Sequence, residues 1–185
     1  MPRPRPGDHI SPLQLTSIDG QTVRIPDGQA LTHLQFRRFA GCPMCNLHIH
    51  SFVRRHTELA QAGIQEVAVF HSSQAALRAQ HAQAPFALIA DPHKALYRQF
   101  GIETSWRSVL DPRAWRAAVQ GLLQHGLKLP TRGESVLGMP ADFLIAPGGR
   151  VVAAHRGAHA DDQWSLDELL ALAKNHGQGT DRRPG

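Results

Sequence analysis

The chain has 185 residues, 42% hydrophobic and 19% charged, with a formal net charge of +5. That length suits one domain with a substantial core, while arginines scattered as pairs (Arg37-Arg38, Arg54-Arg55, Arg182-Arg183) rather than set in a basic stripe argue against a nucleic-acid partner. No run of about 18 apolar residues predicts a membrane span, the N-terminus lacks the apolar core of a secretory signal, and the two closely spaced cysteines exclude a disulfide framework, so a cytoplasmic location is expected.

Residues 1–9 are rich in Pro and Arg and are expected to form a flexible N-terminus, ahead of a single domain over 10–176 and a flexible tail over 177–185. Leu13 to Ile25 reads as a hairpin, with Asp19-Gly20 at its turn. A strand is expected over Leu31–Phe39 and a helix over Asn46–Ala62, ended by Gly63. Ile64–Phe70 is short and rich in β-branched residues, the composition of a buried strand. Ser72 or Ser73 caps a helix to about Gln83, and Pro85–Ala90 forms another strand. Asp91-Pro92 starts a helix that Gly101 ends, and Asp111-Pro112 repeats that signal before a loop over 127–138. Two strands, Ala141–Ala146 and Arg150–His155, flank the turn at Pro147-Gly148-Gly149. Ser165 and Glu168 form a capping box that opens a last helix running to about His176. Strands alternating with helices imply parallel pairing in the first half, and the closing hairpin adds an antiparallel edge.

The only cysteines, Cys42 and Cys45, stand where the first long strand gives way to a helix. A Cys-x-x-Cys in such a place reads as a redox pair. The helix N-terminus offers unpaired N–H groups and positive partial charge, which stabilise the reactive thiolate. Pro43 suits the first helical position, where its missing N–H would have had no partner. Arg37 and Arg38 lie just upstream and stabilise a thiolate if either side chain turns toward the sulfurs. A second chemistry is offered by the spacing Cys42, Cys45, His48 and His50, residue types that zinc takes tetrahedrally. All four would share one short helical segment, with His50 pointing away from Cys42, so neither a metal nor another cofactor is expected. Two buried apolar cysteines are the structural alternative, against which stand their spacing and the proline between them.

The order strand, Cys42-Pro43-Met44-Cys45, helix, and then a distant Met139-Pro140 before a hairpin and final helix resembles the thioredoxin fold. The fold class expected is α/β: a thioredoxin-like mixed sheet flanked by helices, with an N-terminal β-hairpin and a helical insertion over 103–127 that carries Trp106 and Trp115. The resemblance implies that Pro140 is cis and lies, with Met139, against the Cys-x-x-Cys. More specifically, the chain resembles the peroxiredoxin-like branch of the AhpC/TSA (alkyl hydroperoxide reductase / thiol-specific antioxidant) family. The segments that carry the likeness are Phe36–Leu47, Ala90-Asp91-Pro92 with Leu96-Tyr97 and Phe100-Gly101, and Pro140–Ile145 with Gly149–Val152. In this alignment Cys42 takes the place of a threonine and Cys45 that of the peroxidatic cysteine. The arginine that ordinary peroxiredoxins carry before the late strand is absent from Gly138-Met139-Pro140-Ala141.

The resemblance implies a thiol-dependent antioxidant oxidoreductase that reduces a peroxide or disulfide through a Cys42/Cys45 dithiol–disulfide cycle. The family alignment nominates Cys45 as the attacking sulfur; exposure at the helix end nominates Cys42, which is the preferred expectation. Either way a Cys42–Cys45 disulfide results, to be reduced by thioredoxin or a glutathione-type reductant. A homodimer is expected from the family. Two alternatives remain open: a protein disulfide reductase without peroxidase activity, and a non-catalytic binding module that tolerates Cys42→Ser and Cys45→Ser.

Overall fold

The computed structural model describes residues 3–102, 138–159 and 161–181. The second Asp-Pro helix start at Asp111-Pro112, the loop from 127 to 137 and the insertion bearing Trp106 and Trp115 lie outside the described residues.

The hairpin at the start forms as the alternation and turn signal predict. β1 (Leu13–Thr16) pairs antiparallel with β2 (Thr22–Ile25), Leu13 opposite Ile25. Gly20 holds φ +84° in the turn, a conformation that glycine adopts without a Cβ clash. β3 (Leu31–Arg37) follows, then α1 (Pro43–Arg54), α2 (His56–Gln61), β4 (Ile64–Phe70), α3 (Gln74–His81), β5 (Ala87–Ala90) and α4 (Ala95–Gln99). After the undescribed stretch come β6 (Ala141–Ile145), β7 (Val151–Arg156) and a final helix, α5 (Leu166–Asp181).

The main sheet has the order β5-β4-β3-β6-β7. β3–β4 and β4–β5 are parallel, each closed by a helical crossover. β6 returns antiparallel beside β3, and β7 is antiparallel to β6. β3 is therefore central, which explains why all but its first residue are buried. Leu34 and Phe36 of β3 face one core together with Val67, Val69, Tyr97, Phe100 and Phe143. The other face meets α1, α2, α3 and α5 through Ala68, Phe70, Leu144, Ile49, Phe52, Leu59, Leu77 and Leu169.

Three local features differ from the sequence-based expectation. The single helix expected over 46–62 is two helices, because Arg55 leaves the helical region (φ −111°, ψ 20°). Its guanidinium is tied to Glu58 at 2.6 Å and to Asp167 of α5 at 2.7 Å. The last helix starts at its predicted capping box, with the Ser165 amide donating to Glu168 Oε2 at 2.7 Å, but runs past His176 to Asp181. Gly177 is a weak helix former rather than a helix stop at that place. The stretch before residue 10 is hydrogen-bonded to the body of the protein: the Gly7 amide donates to the Val151 carbonyl at 2.9 Å, and the Val151 amide to that of Asp8 at 2.8 Å.

Candidate functional site

The chain leaves β3 at Arg37, and its next turn is pinned from below by the end of β4. The Ala40 amide donates to Ser72 Oγ at 2.8 Å, and the His71 amide to the Arg38 carbonyl at 3.2 Å. Both partners are buried, so each bond saves a backbone group from being stranded without water. The turn delivers Cys42 as the N-cap of α1, with Pro43 at the first helical position as predicted. Cys42 Sγ accepts from the Cys45 amide at 3.3 Å, in the manner of an N-cap oxygen.

The two arginines part company here. Arg38 turns toward the sulfurs: its Nη2 donates to Cys42 Sγ at 3.1 Å, and its positive charge also favours the Cys45 thiolate. Arg37 turns under α1 instead, donating through Nη2 to Asp142 Oδ1 at 2.7 Å and to His48 Nε2 at 2.8 Å. Its carbonyl and that of Val69 both accept from the Tyr97 hydroxyl. A cation bonded through Nε2 leaves His48 a neutral acceptor, and burial together with the charge of Arg37 holds its pKa well below the usual range.

Both thiols are free and both are buried, Cys42 at 0% and Cys45 at 3% exposure. The premise that Cys42 is the exposed sulfur is thus corrected: its sulfur is enclosed with the Arg38 guanidinium and the Cys45 amide bonded to it. Burial pushes the Cys45 thiol up, but the hydrogen bond from Cys42 and the positive charges of Arg38 and Arg37 outweigh it and hold Cys45 at about 6. Cys42 moves the other way, raised by burial and by its bond to Cys45, with Arg38 working against both. The two thiols titrate as a pair: the first proton leaves readily, and burial and the first charge hold the second.

Met139 and Pro140 directly precede β6, as the sequence predicts. The expected cis bond is corrected: among the described residues the cis peptide is Ile25–Pro26, and Met139–Pro140 is trans. Pro140 begins the strand in the ordinary isomer, and its carbonyl accepts from the Gly157 amide at 2.9 Å. Gly138 comes closer to the site. A Cβ built on it would lie 2.9 Å from His71 Cε1 and 3.4 Å from Arg38 Cγ.

Sequence reasoning missed a buried polar cluster on the α1 side of the sheet. His33 Nδ1 meets Glu66 Oε2 at 2.7 Å, and its Nε2 meets Asp142 Oδ1 at 3.2 Å. Gln35 donates to Glu66 Oε1 at 2.5 Å, and Phe52 stacks on the His33 ring at 5.6 Å between centroids. Burial pulls the His33 pKa down, but Glu66 and Asp142 outweigh it and raise it to about 9. Asp142 is held well below the usual carboxylate range by Arg37 and His33 despite its burial. The available signal was His33, Gln35 and Arg37 at every second position of a strand whose other face is Leu34 and Phe36.

Among the described residues no group of three or more His, Cys, Asp and Glu is placed to hold a metal ion. His50, the outermost of the zinc-like spacing, is exposed. A cavity of about 450 Å³ opens between α1 and the end of α3, lined by residues such as Val53, Arg78 and His81; neither cysteine lines it.

The family profile described as AhpC/TSA antioxidant enzyme matches residues 51–159. The chain belongs to the AhpC/TSA antioxidant enzyme family. Membership makes this AhpC/TSA protein a thiol-dependent antioxidant oxidoreductase, as the resemblance implied. The matched span begins after Cys45, so the profile itself is silent on the two thiols.

Solved structures extend the same picture to the whole fold. Peroxidoxin BcpB from Mycobacterium tuberculosis is 16% identical with a TM-score of 0.67, the match covering 93% of this chain and 97% of that one. The bacterioferritin comigratory protein of Xanthomonas campestris is 22% identical with a TM-score of 0.62, over 89% of this chain and 91% of its own. Peroxiredoxin 6 of Arenicola marina is 14% identical with a TM-score of 0.71, over 96% and 75%. At these identities the likeness establishes the fold, a thioredoxin-like peroxiredoxin fold with an N-terminal hairpin. A search of curated protein sequences gives no significant match. No helix among the described residues is long and apolar enough to cross a membrane.

Proposed function

We propose that this protein reduces peroxides with Cys45 as the attacking thiolate and Cys42 as the resolving thiol. The observation that carries the reading is the Arg38 guanidinium, which donates to Cys42 Sγ at the N-terminus of α1 and whose positive charge bears on both sulfurs. A buried cation stabilises the thiolate, and it serves equally any negative charge that develops on a peroxide oxygen. Arg38 thereby takes the place of the arginine that is absent from Gly138-Met139-Pro140-Ala141.

The cycle balances in atoms and electrons. Cys45 Sγ forms a bond to one peroxide oxygen as the O–O bond breaks, and the other oxygen leaves with a proton as alcohol or water. Cys45 is then a sulfenic acid. The Cys42 thiol attacks that sulfur; an S–S bond forms and the sulfenic oxygen departs as water. An external dithiol of the thioredoxin or glutathione class reduces the disulfide by exchange. An alkyl peroxide is the favoured substrate class, since alkyl peroxide reduction is the activity reported for the Xanthomonas campestris relative. A homodimer and a reducing cytoplasmic setting belong to the same proposal.

The test mixes fully reduced, metal-free protein with sub-stoichiometric hydrogen peroxide or cumene hydroperoxide beside Cys42→Ser and Cys45→Ser. The expected result is rapid loss of both thiols to one intramolecular disulfide, a trapped sulfenic acid in Cys42→Ser, and none in Cys45→Ser. A sulfenic acid in Cys45→Ser alone would reverse the two roles. Thiol loss no faster than that of free cysteine would overturn peroxide as the substrate and leave protein disulfide exchange as the competing activity.

A further inference from the structure

The ionic cluster under α1 is costly to bury, and of its four members only the charge of Arg37 bears directly on the thiols. Arg37, His33, Glu66 and Asp142 side chains are all fully buried, and their bonds join strands β3, β4 and β6. Well-packed apolar side chains would stabilise that spot as well or better, so a charged cluster there needs another reason. Its outlet toward the thiols is Arg37, whose Nη2 bonds His48, one helical turn beyond Cys45. That bond carries the cluster to the N-terminal half of α1.

We propose that His33, Glu66 and Asp142 are positioning residues for the thiol reaction: they hold Arg37 beneath α1 in a charge-balanced cradle, and the sum of their charges sets the field in which Cys42 and Cys45 lie. The inference rests on the reading of Cys42/Cys45 as a thiolate pair. With His33 protonated, the four groups carry two positive and two negative charges. The cluster is then neutral overall, with Arg37, whose charge Cys45 feels, as its positive end. Removing one charge tips the balance, and the low dielectric of the interior transmits the change with little screening.

Among the described residues, the charged and titratable groups around the cysteines come from several elements. Arg38 comes from the turn after β3, Arg37 and His33 from β3, Glu66 from β4 and His71 from the turn that follows it. Asp142 comes from β6, His48 from α1, and Asp161 from the segment before α5, where it feels the charge of Arg38. Tyr97 reaches in from α4, its pKa raised by burial so that it stays protonated.

The experiment titrates the reduced protein by thiolate absorbance at 240 nm, which reads buried sulfurs and needs no substrate. His33→Gln leaves an excess negative charge and is expected to raise the thiol pKa by about half a unit or more. Asp142→Asn leaves an excess positive charge, keeps an acceptor oxygen for Arg37, and is expected to lower it by a similar amount. The double variant His33→Gln/Glu66→Gln removes an ion pair whole and is expected to stay within a few tenths of a unit of the wild type. Opposite shifts in the two single variants support the proposal. Shifts in the same direction, or a shift missing from either, overturn it, because a merely structural cluster would loosen the site alike whichever charge was lost. Should His33→Gln fail to fold, an unshifted double variant beside a lowered thiol pKa in Asp142→Asn supports the proposal, and equal shifts in the two overturn it. Failure of the peroxidase reading is distinguishable: thiols that ignore peroxide still titrate.

Discussion

Arg38 and Cys42, four residues apart, close a loop over the start of α1: the guanidinium Nη2 lies 3.1 Å from the sulfur. The bond is buried at both ends, with Arg38 5% and Cys42 0% exposed. It applies a positive charge directly to the redox pair, and losing it is the sharpest single perturbation of the site.

Arg38→Gln is expected to raise the thiol pKa by about one to three units, the effect of removing an adjacent opposite charge. At pH 7 the thiolate fraction then falls about twofold for a rise of one unit and about ninetyfold for a rise of three, and peroxide-driven disulfide formation falls with it. Thiolate absorbance and stopped-flow peroxide consumption check the two halves separately. Unchanged titration in a folded variant would show that Arg38 does not set the thiol pKa.

The rate of reaction with peroxide is expected to rise with pH through about 6, the value at which Cys45 is held, and to level off above neutrality. The sign follows from the thiolate being the nucleophile. A free thiol with an ordinary pKa near about 8.5 would instead still be gaining rate well above neutrality. A pH–rate profile on the wild type and on Cys42→Ser distinguishes them.

His33 ties stability to pH. Its pKa rises from 6.5 to about 9 on folding, because Glu66 and Asp142 outweigh the cost of burial. A raised pKa contributes stability that is full below 6.5 and lost as pH climbs through about 9. The linked contribution is about 3 kcal/mol. Denaturation midpoints between about pH 6 and 9.5 are expected to fall more steeply for the wild type than for His33→Gln/Glu66→Gln. Parallel profiles would show His33 to be neutral in the folded protein.

Gly138→Ala probes the approach of the late segment to Arg38. The new Cβ would meet His71 Cε1 at 2.9 Å, closer than real contacts allow, and Arg38 Cγ at 3.4 Å. A cost of about 1–3 kcal/mol is expected from overpacking, with the thiol pKa displaced as Arg38 is pushed aside. Ser165→Ala, at the far capping box, is the matched control. It removes the bond to the Glu168 amide and costs about 1 kcal/mol, with no change in thiol titration.

Much of the fold was legible because it is written in local chemistry. The Asp19-Gly20 turn, Pro43 at the first helical position, the Ser73 cap and the Ser165/Glu168 box are each decided by neighbours a few residues away. Asp91 is a partial case. The Asp-Pro signal marks the start of α4, but the carboxylate reaches the Ala95 and Leu96 amides at 2.8 Å each, across a turn that sets Lys94 at φ +55°. The break at Arg55 escaped detection because Asp167, which holds its guanidinium, lies on another helix.

The two thiols divide along the same line. Sequence alone determined that Cys42 and Cys45 sit at a strand-to-helix junction with arginines beside them, since spacing and helix-start signals are one-dimensional. Only the tertiary structure decided that the N-cap sulfur is buried, that Arg38 faces it while Arg37 faces away, and that Arg37 ends in a cradle of His33, Glu66 and Asp142. Those choices depend on which strands lie side by side. β6 returns next to β3, bringing Asp142 from 105 residues away to Arg37, and no local pattern encodes a contact at that separation.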